Sequence, residues 1–161
     1  MLSRSVLRLA SSRAVLPASS SRGYSNGAPQ MALTFAAPTQ VLYNNVNVRQ
    51  IDVPSFSGSF GILPAHVPTL AVLRPGVVTV FEKDGVEKKY FVSSGTVTIN
   101  EDSSVQVLAE EAVPVGDLDI SNARELLTKA QNDLSSASTD AAKAEAQIGV
   151  EVAEALIKAC E

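Results

Sequence analysis

The sequence predicts a β-sandwich or flattened barrel followed by an antiparallel pair of helices. Two regimes of composition indicate this order. Residues 41–115 contain 16 valines with proline and glycine between the apolar runs, whereas residues 117–161 contain ten alanines, two valines and no proline. Valine favours strands, and alanine with leucine, glutamate and lysine favours helices. The change near Gly116 therefore divides a β-domain from a helical domain.

Short alternating runs separated by turn residues fill the β-domain. Residues 77–82 alternate in polarity, and residues 89–92 return as a partner strand. Between them, Asp84 and Gly85 form a two-residue hairpin signal, because a type I′ turn requires positive φ at both positions. Turn signals that recur about every 8–12 residues are typical of sandwiches and barrels.

Two stripes of apolar residues predict the helix pair. We expect them to face each other as the seam of a hairpin, which consists of Ile120, Ala123, Leu127, Ala130 and Leu134 on the first helix and Ile148, Val152 and Leu156 on the second. Asp117 and Asp119 can cap the first helix, and Thr139 or Asp140 the second. Gly149 destabilises a helix interior, and a close crossing of the helices would explain it.

The first residues do not belong to the predicted fold. They are rich in arginine and serine, and no Asp or Glu precedes Asp52, which is typical of a mitochondrial transit peptide. The run Arg-Gly-Tyr-Ser at 22–25 is similar to a processing site of matrix-targeted precursors. We therefore expect residues 1–24 to be a transit peptide, residues 25–116 the β-domain and residues 117–161 the helical hairpin. A basic tail that stays attached is the alternative.

Few residues could carry chemistry. Cys160 is the only cysteine and His66 the only histidine, which excludes an internal disulfide, a cysteine-rich zinc site and a His-rich metal centre. Thirteen Lys and Arg against 17 Asp and Glu give a net charge of −4, which is unfavourable for binding nucleic acid. No apolar run is long enough to cross a membrane. We expect no catalysis, cofactor or metal, and interpret His66 as a structural or interface residue.

One segment carries a family signature. Residues 58–70 read Gly-x-x-Gly-Ile-Leu-Pro-x-His-x-Pro-x-Leu, and residues 73–76 read Leu-Arg-Pro-Gly. Pro-Thr-Gln-Val-Leu-Tyr opens the domain at 38–43, and Asp-Leu-Asp at 117–119 precedes the helices. Over roughly residues 33–160 the chain resembles the small central-stalk subunit of F-type ATP synthases. That subunit is called epsilon in bacteria and chloroplasts and delta in mitochondria, and the N-terminus favours the mitochondrial form.

The resemblance implies a ten-stranded β-sandwich with two helices and a non-catalytic rotor subunit. Such a subunit couples rotation of the c-ring, driven by proton flow, to ATP synthesis in the catalytic head. Its implied partners are the gamma subunit, the mitochondrial epsilon subunit and the c-ring, on the matrix side of the inner membrane. The resemblance also implies a loop facing the c-ring, which consists of Ser57, Gly58, Ser59, Phe60, Gly61 and Ile62. Because a few buried aromatic side chains dominate an interface, we expect Phe60 to be the anchor of this loop.

Two other functions stay open. Bacterial relatives bind ATP at the hairpin through an Ile/Leu-Asp-x-x-Arg-Ala motif and inhibit hydrolysis, but here Ser121 and Glu125 replace the aspartate and the alanine of that motif. A register that starts at Leu118 and Asp119 places Arg124 two residues too late. An all-β domain with a helical tail could also serve as a binding adaptor unrelated to ATP synthesis.

Overall fold

Nine strands and two helices follow one another in the computed structural model, which describes residues 30–161. The strands are β1 (Met31–Ala37), β2 (Gln40–Ser55), β3 (Gly58–Ile62), β4 (Thr69–Leu73), β5 (Gly76–Glu82), β6 (Glu87–Val92), β7 (Gly95–Ile99), β8 (Val105–Ala109) and β9 (Ala112–Pro114). A short 3₁₀-helix (Val115–Asp117) leads to α1 (Ile120–Ser136) and α2 (Asp140–Cys160). The predicted order of a β-domain and a helical hairpin is confirmed. The expected transit peptide at 1–24 lies outside the described residues.

The strand count of ten was wrong for the described residues, and β2 shows why. This strand of 16 residues pairs first with β1 and then with β3 and β5, so one continuous strand serves both layers of the sandwich. Its pairing with β5 shifts register between Val48 and Gln50, where the alternation of apolar residues in the sequence changes parity. A bulge of this kind bends a strand and lets it pass from one sheet to the other.

The remaining pairings close the sheet into a flattened barrel. The order β1-β8-β7-β4 forms one layer, and β3, β5, β6 and β9 surround the second half of β2 in the other. All pairs are antiparallel except β1 with β8. Closure leaves few unpaired strand edges, and it gives the domain a stiff body.

The core lies between the two layers and is built from the inward side of each strand. Burial alternates along β1 and β8, as expected for strands with one face in the core. The largest fully buried side chains are Met31, Leu33, Phe35, Ile51, Val53, Ile62, Leu73, Val78, Val80, Val92, Val97 and Val105. Valine and isoleucine dominate because β-branched side chains pack well on a pleated surface.

Gly95 is fixed by a close approach of two strands. It begins β7 opposite Ala109, with φ of 154°. A Cβ at this position would lie 2.2 Å from the carbonyl oxygen of Leu108. Only glycine fits here, because both the backbone conformation and the neighbouring strand exclude a side chain.

An aromatic and charged cluster ties β2 to β5 and β6. The Tyr43 hydroxyl donates to Glu82 Oε1 at 3.0 Å, and Lys88 Nζ lies 2.8 Å from the same oxygen. Tyr90 packs edge-to-face on both Phe35 and Tyr43, with ring centroids 5.5 and 6.0 Å apart. The Lys88 ammonium, followed by the Tyr43 hydroxyl, lowers the pKa of Glu82. Burial is the main cause that raises the pKa of Tyr43.

The two helices pack against each other and are capped as the sequence predicts. Asp119 is the N-cap of α1 and accepts the backbone N–H of Ser121 at 2.8 Å. Thr139 caps α2 and accepts the N–H of Ala142 at 3.2 Å. The principal contacts of α1 are with α2 alone, whereas α2 also packs on β5 and on the 3₁₀-helix. The hairpin is therefore attached to the β-domain through α2.

Candidate interaction surfaces

The segment expected to face the c-ring is a β-hairpin rather than a loop. β2 and β3 pair from Ile51 opposite Ile62 to Ser55 opposite Gly58, which leaves a two-residue turn of Phe56 and Ser57. Gly58 has φ of 120°, a conformation that other residues rarely adopt. The Ser57 N–H donates to Ser55 Oγ at 3.2 Å and holds the turn.

The six residues assigned to that segment have different environments. Ser57, Ser59 and Gly61 are exposed and Gly58 is partly exposed. Ile62 is fully buried in the core, so its side chain cannot contact a partner. Phe60 is half-buried and packs against the core, whereas Phe56 is 72% exposed at the turn. Phe56 is therefore the more exposed aromatic of the hairpin, because the alternation of β3 turns Phe60 toward the core, and the anchoring role expected for Phe60 stays a prediction.

His66 lies in a tight turn after β3. Its N–H donates to the Leu63 carbonyl oxygen at 3.1 Å, and its Nδ1 lies 2.9 Å from the carbonyl oxygen of Val67. The imidazole is partly exposed, and its centroid is 6.1 Å from that of the Phe60 ring. The preceding residue, Ala65, has φ of 64° and donates its N–H to Ser103 Oγ. These contacts leave the structural and interface interpretations of His66 open.

A face without charged residues covers the outside of the first layer. Strands β1, β4, β7 and β8 and residues 40–48 of β2 contain no Asp, Glu, Lys or Arg. One row of directly paired, outward residues crosses all five strands: Val72, Thr96, Leu108, Ala36 and Val41. Leu70 belongs to the next row, opposite Thr98. We call this surface the uncharged face.

The uncharged face exposes large apolar side chains. Val41 is 64% exposed, Leu70 72%, Val72 54% and Leu108 52%. Depletion of charged residues combined with exposed aliphatic side chains is typical of the centre of a protein interface. The sequence interpretation missed this surface. The sequence shows that each of these segments is uncharged, but only the pairing shows that they lie side by side.

The residues predicted to form the helix seam differ in burial. On α1, Ala123 is buried, and Ile120, Leu127, Ala130 and Leu134 are partly buried. On α2, Val152 and Leu156 are partly buried, but Ile148 is 63% exposed. The position of Ile148 in the seam was wrong, because the α2 side that faces α1 consists of smaller residues: Ala142, Ala146, Gly149 and Ala153.

A groove separates the C-terminal half of α2 from the β-domain. Its volume is about 340 Å³. The β-domain contributes Pro54, Ser59, Arg74 and Val77, and α2 contributes Glu151, Ala155, Lys158 and Ala159. Small residues on both walls allow α2 to lie close to the sheet. Arg74, Glu151 and Lys158 give the lining charged groups of both signs.

The residues at the start of α1 that align with the bacterial nucleotide motif take part in capping the helix. Asp119 accepts from both the Ser121 backbone and Asn122 Nδ2, at 2.8 and 3.2 Å. Arg124 is exposed.

Within residues 30–161, no group of three or more His, Cys, Asp or Glu could hold a metal ion. In the same part of the chain, no helix combines the length and hydrophobicity needed to cross a bilayer.

Comparisons with known families match both domains. The family model described as "ATP synthase, Delta/Epsilon chain, beta-sandwich domain" matches residues 30–115. The model described as "Metazoan delta subunit of F1F0-ATP synthase, C-terminal domain" matches residues 118–159. Both descriptions agree with the architecture observed here.

Individual relatives and solved structures agree with the family models. The mitochondrial ATP synthase subunit delta of Caenorhabditis elegans is 48% identical over 145 residues, which are 86% of this chain and 88% of that protein. The subunit of the same name from Saccharomyces cerevisiae is 42% identical and covers 78% of each chain. A chain in the Euglena gracilis mitochondrial ATP synthase (OSCP/F1/c-ring, rotational state 1) superposes with a TM-score of 0.77 at 26% identity, covering 88% of both chains.

Together with these matches, the closed β-body and the small helical hairpin define a non-catalytic subunit of a rotary ATP synthase. The chain belongs to the delta/epsilon family of ATP synthase subunits, and within it to the mitochondrial delta subunits of the central stalk. The resemblance inferred from the signature at residues 58–76 is confirmed.

Proposed function

We propose that this subunit transmits torque between the c-ring and the catalytic head by binding three partners through three separate surfaces. The gamma subunit binds the uncharged face, the c-ring contacts the β2–β3 turn, and the mitochondrial epsilon subunit binds along α2. The observation that carries the proposal is the uncharged face. A closed barrel that exposes a charge-free row across five strands has a surface suited to a permanent protein partner.

The assignment of the uncharged face to gamma follows from its size and composition. A stalk subunit must be held against slip by its largest contact, and apolar burial provides most of the free energy of a permanent interface. Leu70 and Val72 of β4 and Leu108 of β8 are exposed in the free chain, and the two strands flank β7. They supply the apolar centre that such an interface needs.

The β2–β3 turn and the α2 groove support the two smaller contacts. Phe56 projects from a rigid two-residue turn, and a single exposed aromatic can anchor a small interface. The groove between α2 and the β-domain has Arg74, Glu151 and Lys158 in its lining. The contact roles of Ser57, Gly58, Ser59 and Gly61 depend on this assignment of the turn.

A charge placed on the uncharged face tests the proposal. Leu108→Lys puts an ammonium in the middle of the row and should weaken binding of purified gamma subunit at least about tenfold, because the charge would be buried in the interface. Val86→Lys is the matched control, since Val86 is 47% exposed and lies in the β5–β6 turn. Circular dichroism should show both variants folded.

Three outcomes would count against the proposal. Equal binding of gamma by both variants would show that the uncharged face is not its surface. A pull-down from detergent-solubilised mitochondria that recovers soluble clients instead of ATP synthase subunits would favour the adaptor function. A titration of Mg-ATP that saturates below about 100 μM, roughly −5.5 kcal/mol of binding free energy, would favour nucleotide sensing.

We also propose that residues 1–24 are removed on import, which leaves Ser25 as the N-terminus. The acid-free, arginine-rich composition of this segment supports the proposal. Mass spectrometry of the protein isolated from mitochondria should show the Ser25 N-terminus. Peptides from residues 6–22 in the mature protein would rule out this processing.

A further inference from the structure

The half of the hairpin that is remote from the β-domain has no buried residue. We call residues 130–150 the distal hairpin; it comprises the end of α1, the connection and the first half of α2. None of its residues is buried. The buried residues of the two helices, Ala123 and Ala153, both lie outside it, toward the β-domain.

The cleft beside the distal hairpin is lined by residues of the hairpin alone. The first half of α2 lines a cleft with α1, in which Ala142, Ala146 and Gly149 lie opposite Ala130 and Ala137. The second half of α2 lines the groove with the β-domain instead. Only the second half therefore gains stability from the barrel.

Within the described part of the chain, no ion pair or side-chain hydrogen bond joins the two helices of the distal hairpin. Both ion pairs found in residues 30–161 lie in the β-domain. The side-chain hydrogen bonds of the helices are local, such as Ser135 Oγ to the Asn132 carbonyl oxygen at 2.8 Å. Serine, asparagine and aspartate at the end of α1 compete with the helix backbone for hydrogen bonds. Helical propensity therefore stabilises the end of α1 only weakly.

Gly149 weakens the distal hairpin without a packing requirement. A Cβ at this position would lie 3.5 Å from Ala130 Cβ, which is ordinary van der Waals contact. Alanine would therefore fit and would stabilise the helix. The crossing of the helices does not explain the glycine, contrary to the expectation from the sequence.

We propose that the distal hairpin is a local unfolding unit, which opens while the β-domain and the second half of α2 stay folded. Gly149 sets the equilibrium between its closed and open states. Local opening follows where apolar burial is small and contacts to the rest of the fold are absent. The unit provides a compliant element on a stiff body, and its opening frees the inner faces of both helices without disturbing the barrel.

Native-state hydrogen exchange of the whole chain, analysed by mass spectrometry of peptides, tests the proposal. Backbone amides of residues 130–150 should exchange faster than those of residues 151–160. Gly149→Ala should slow exchange in the distal hairpin about fivefold, the change expected from helix propensity, and leave residues 151–160 and the β-domain unchanged. Ala146→Gly should accelerate it by a similar factor. Gly116→Ala is the matched control, because a methyl there meets nothing within 4 Å and should change no distal amide.

Three results would overturn the proposal. The first is equal exchange of residues 130–150 and 151–160, which would mean that the hairpin opens only as a whole. The second is a Gly149→Ala variant that slows all of α2 equally. The third is a Gly149→Ala variant that slows no amide, which would show that Gly149 does not control the opening.

Discussion

The two phenylalanines of the β2–β3 hairpin should respond differently to replacement by aspartate. Phe56→Asp should cost little stability and reduce coupling to the c-ring, whereas Phe60→Asp should destabilise the fold. Phe56 is 72% exposed, so only about a quarter of a side-chain area of about 200 Å² is covered in the free chain. At about 25 cal/mol per Å², Phe56→Asp should cost about 1 kcal/mol of folding free energy. Phe60 packs on the core and covers about 100 Å² or more, so Phe60→Asp should cost at least about 2.5 kcal/mol before the carboxylate is desolvated.

Chemical denaturation of the purified chain checks the first half of this prediction. Proton pumping and ATP hydrolysis, measured side by side in mutant membranes, check the second. Phe56→Asp should leave the subunit folded and hydrolysis active, because the catalytic sites lie in other chains, but ATP-driven pumping should fall if the turn holds the c-ring. Phe60→Asp should reduce the amount of assembled complex through loss of the folded subunit.

The two readouts can each refute the reasoning. Equal destabilisation by the two substitutions would mean that Phe60 is not part of the core. Normal, fully coupled pumping with Phe56→Asp would show that the turn is not an anchor. Val86→Asp is the control for coupling, because Val86 is 47% exposed in the β5–β6 turn. It should cost about as much folding free energy as Phe56→Asp and leave coupling unchanged.

Three further predictions concern stability. Gly95→Ala should cost about 3 kcal/mol or more, because the methyl would lie 2.2 Å from a carbonyl oxygen; a denaturation midpoint equal to that of the wild type would contradict the geometry. Leu127→Asp should reduce helical circular dichroism while the β-domain still melts cooperatively, since a carboxylate in the seam costs about 2 kcal/mol; an unchanged spectrum would show that Leu127 is exposed. The pKa of Glu82 is lowered by Lys88, so its contribution to stability is present at neutral pH and is lost as pH falls through the carboxyl range. The stability difference between wild type and Glu82→Gln should therefore shrink on acidification, and a difference that does not change with pH would exclude this role.

The domain order and the helix caps could be predicted from the sequence because local chemistry determines them. Asp119 and Thr139 cap the helices as expected, since only a short polar side chain before a helical run can accept the first free N–H groups. A turn is present between β5 and β6 as predicted, and Gly85 has φ of 82°. The two-residue type I′ form was wrong, because Asp84 does not have positive φ and the connection spans residues 83–86. The match of the signature at residues 58–70 to its family depends on residue identity and not on packing.

The orientation of side chains could not be predicted where it depends on pairing. Phe56 and Phe60 are both aromatic residues in one short segment, and only the register of β3 against β2 shows which of them is exposed. The uncharged face has the same origin. Its residues are distant in sequence, and five strands had to be ordered before Val72 and Val41 could be placed at the two ends of one row.

The side of α2 that faces α1 was predicted wrongly for a different reason, which concerns the size of side chains. Ala141, Ala144, Ile148 and Val152 form one apolar stripe, and Ala142, Ala146, Gly149 and Ala153 form another beside it. Choosing the stripe with the larger residues assumes that burial scales with hydrophobicity. Two helices that approach closely favour the opposite choice, because small side chains let the backbones come together and Ile148 would hold them apart. The stripe that contains Ile148 therefore faces outward in the distal hairpin. Its continuation along α2, at Ala155 and Ala159, lines the groove with the β-domain.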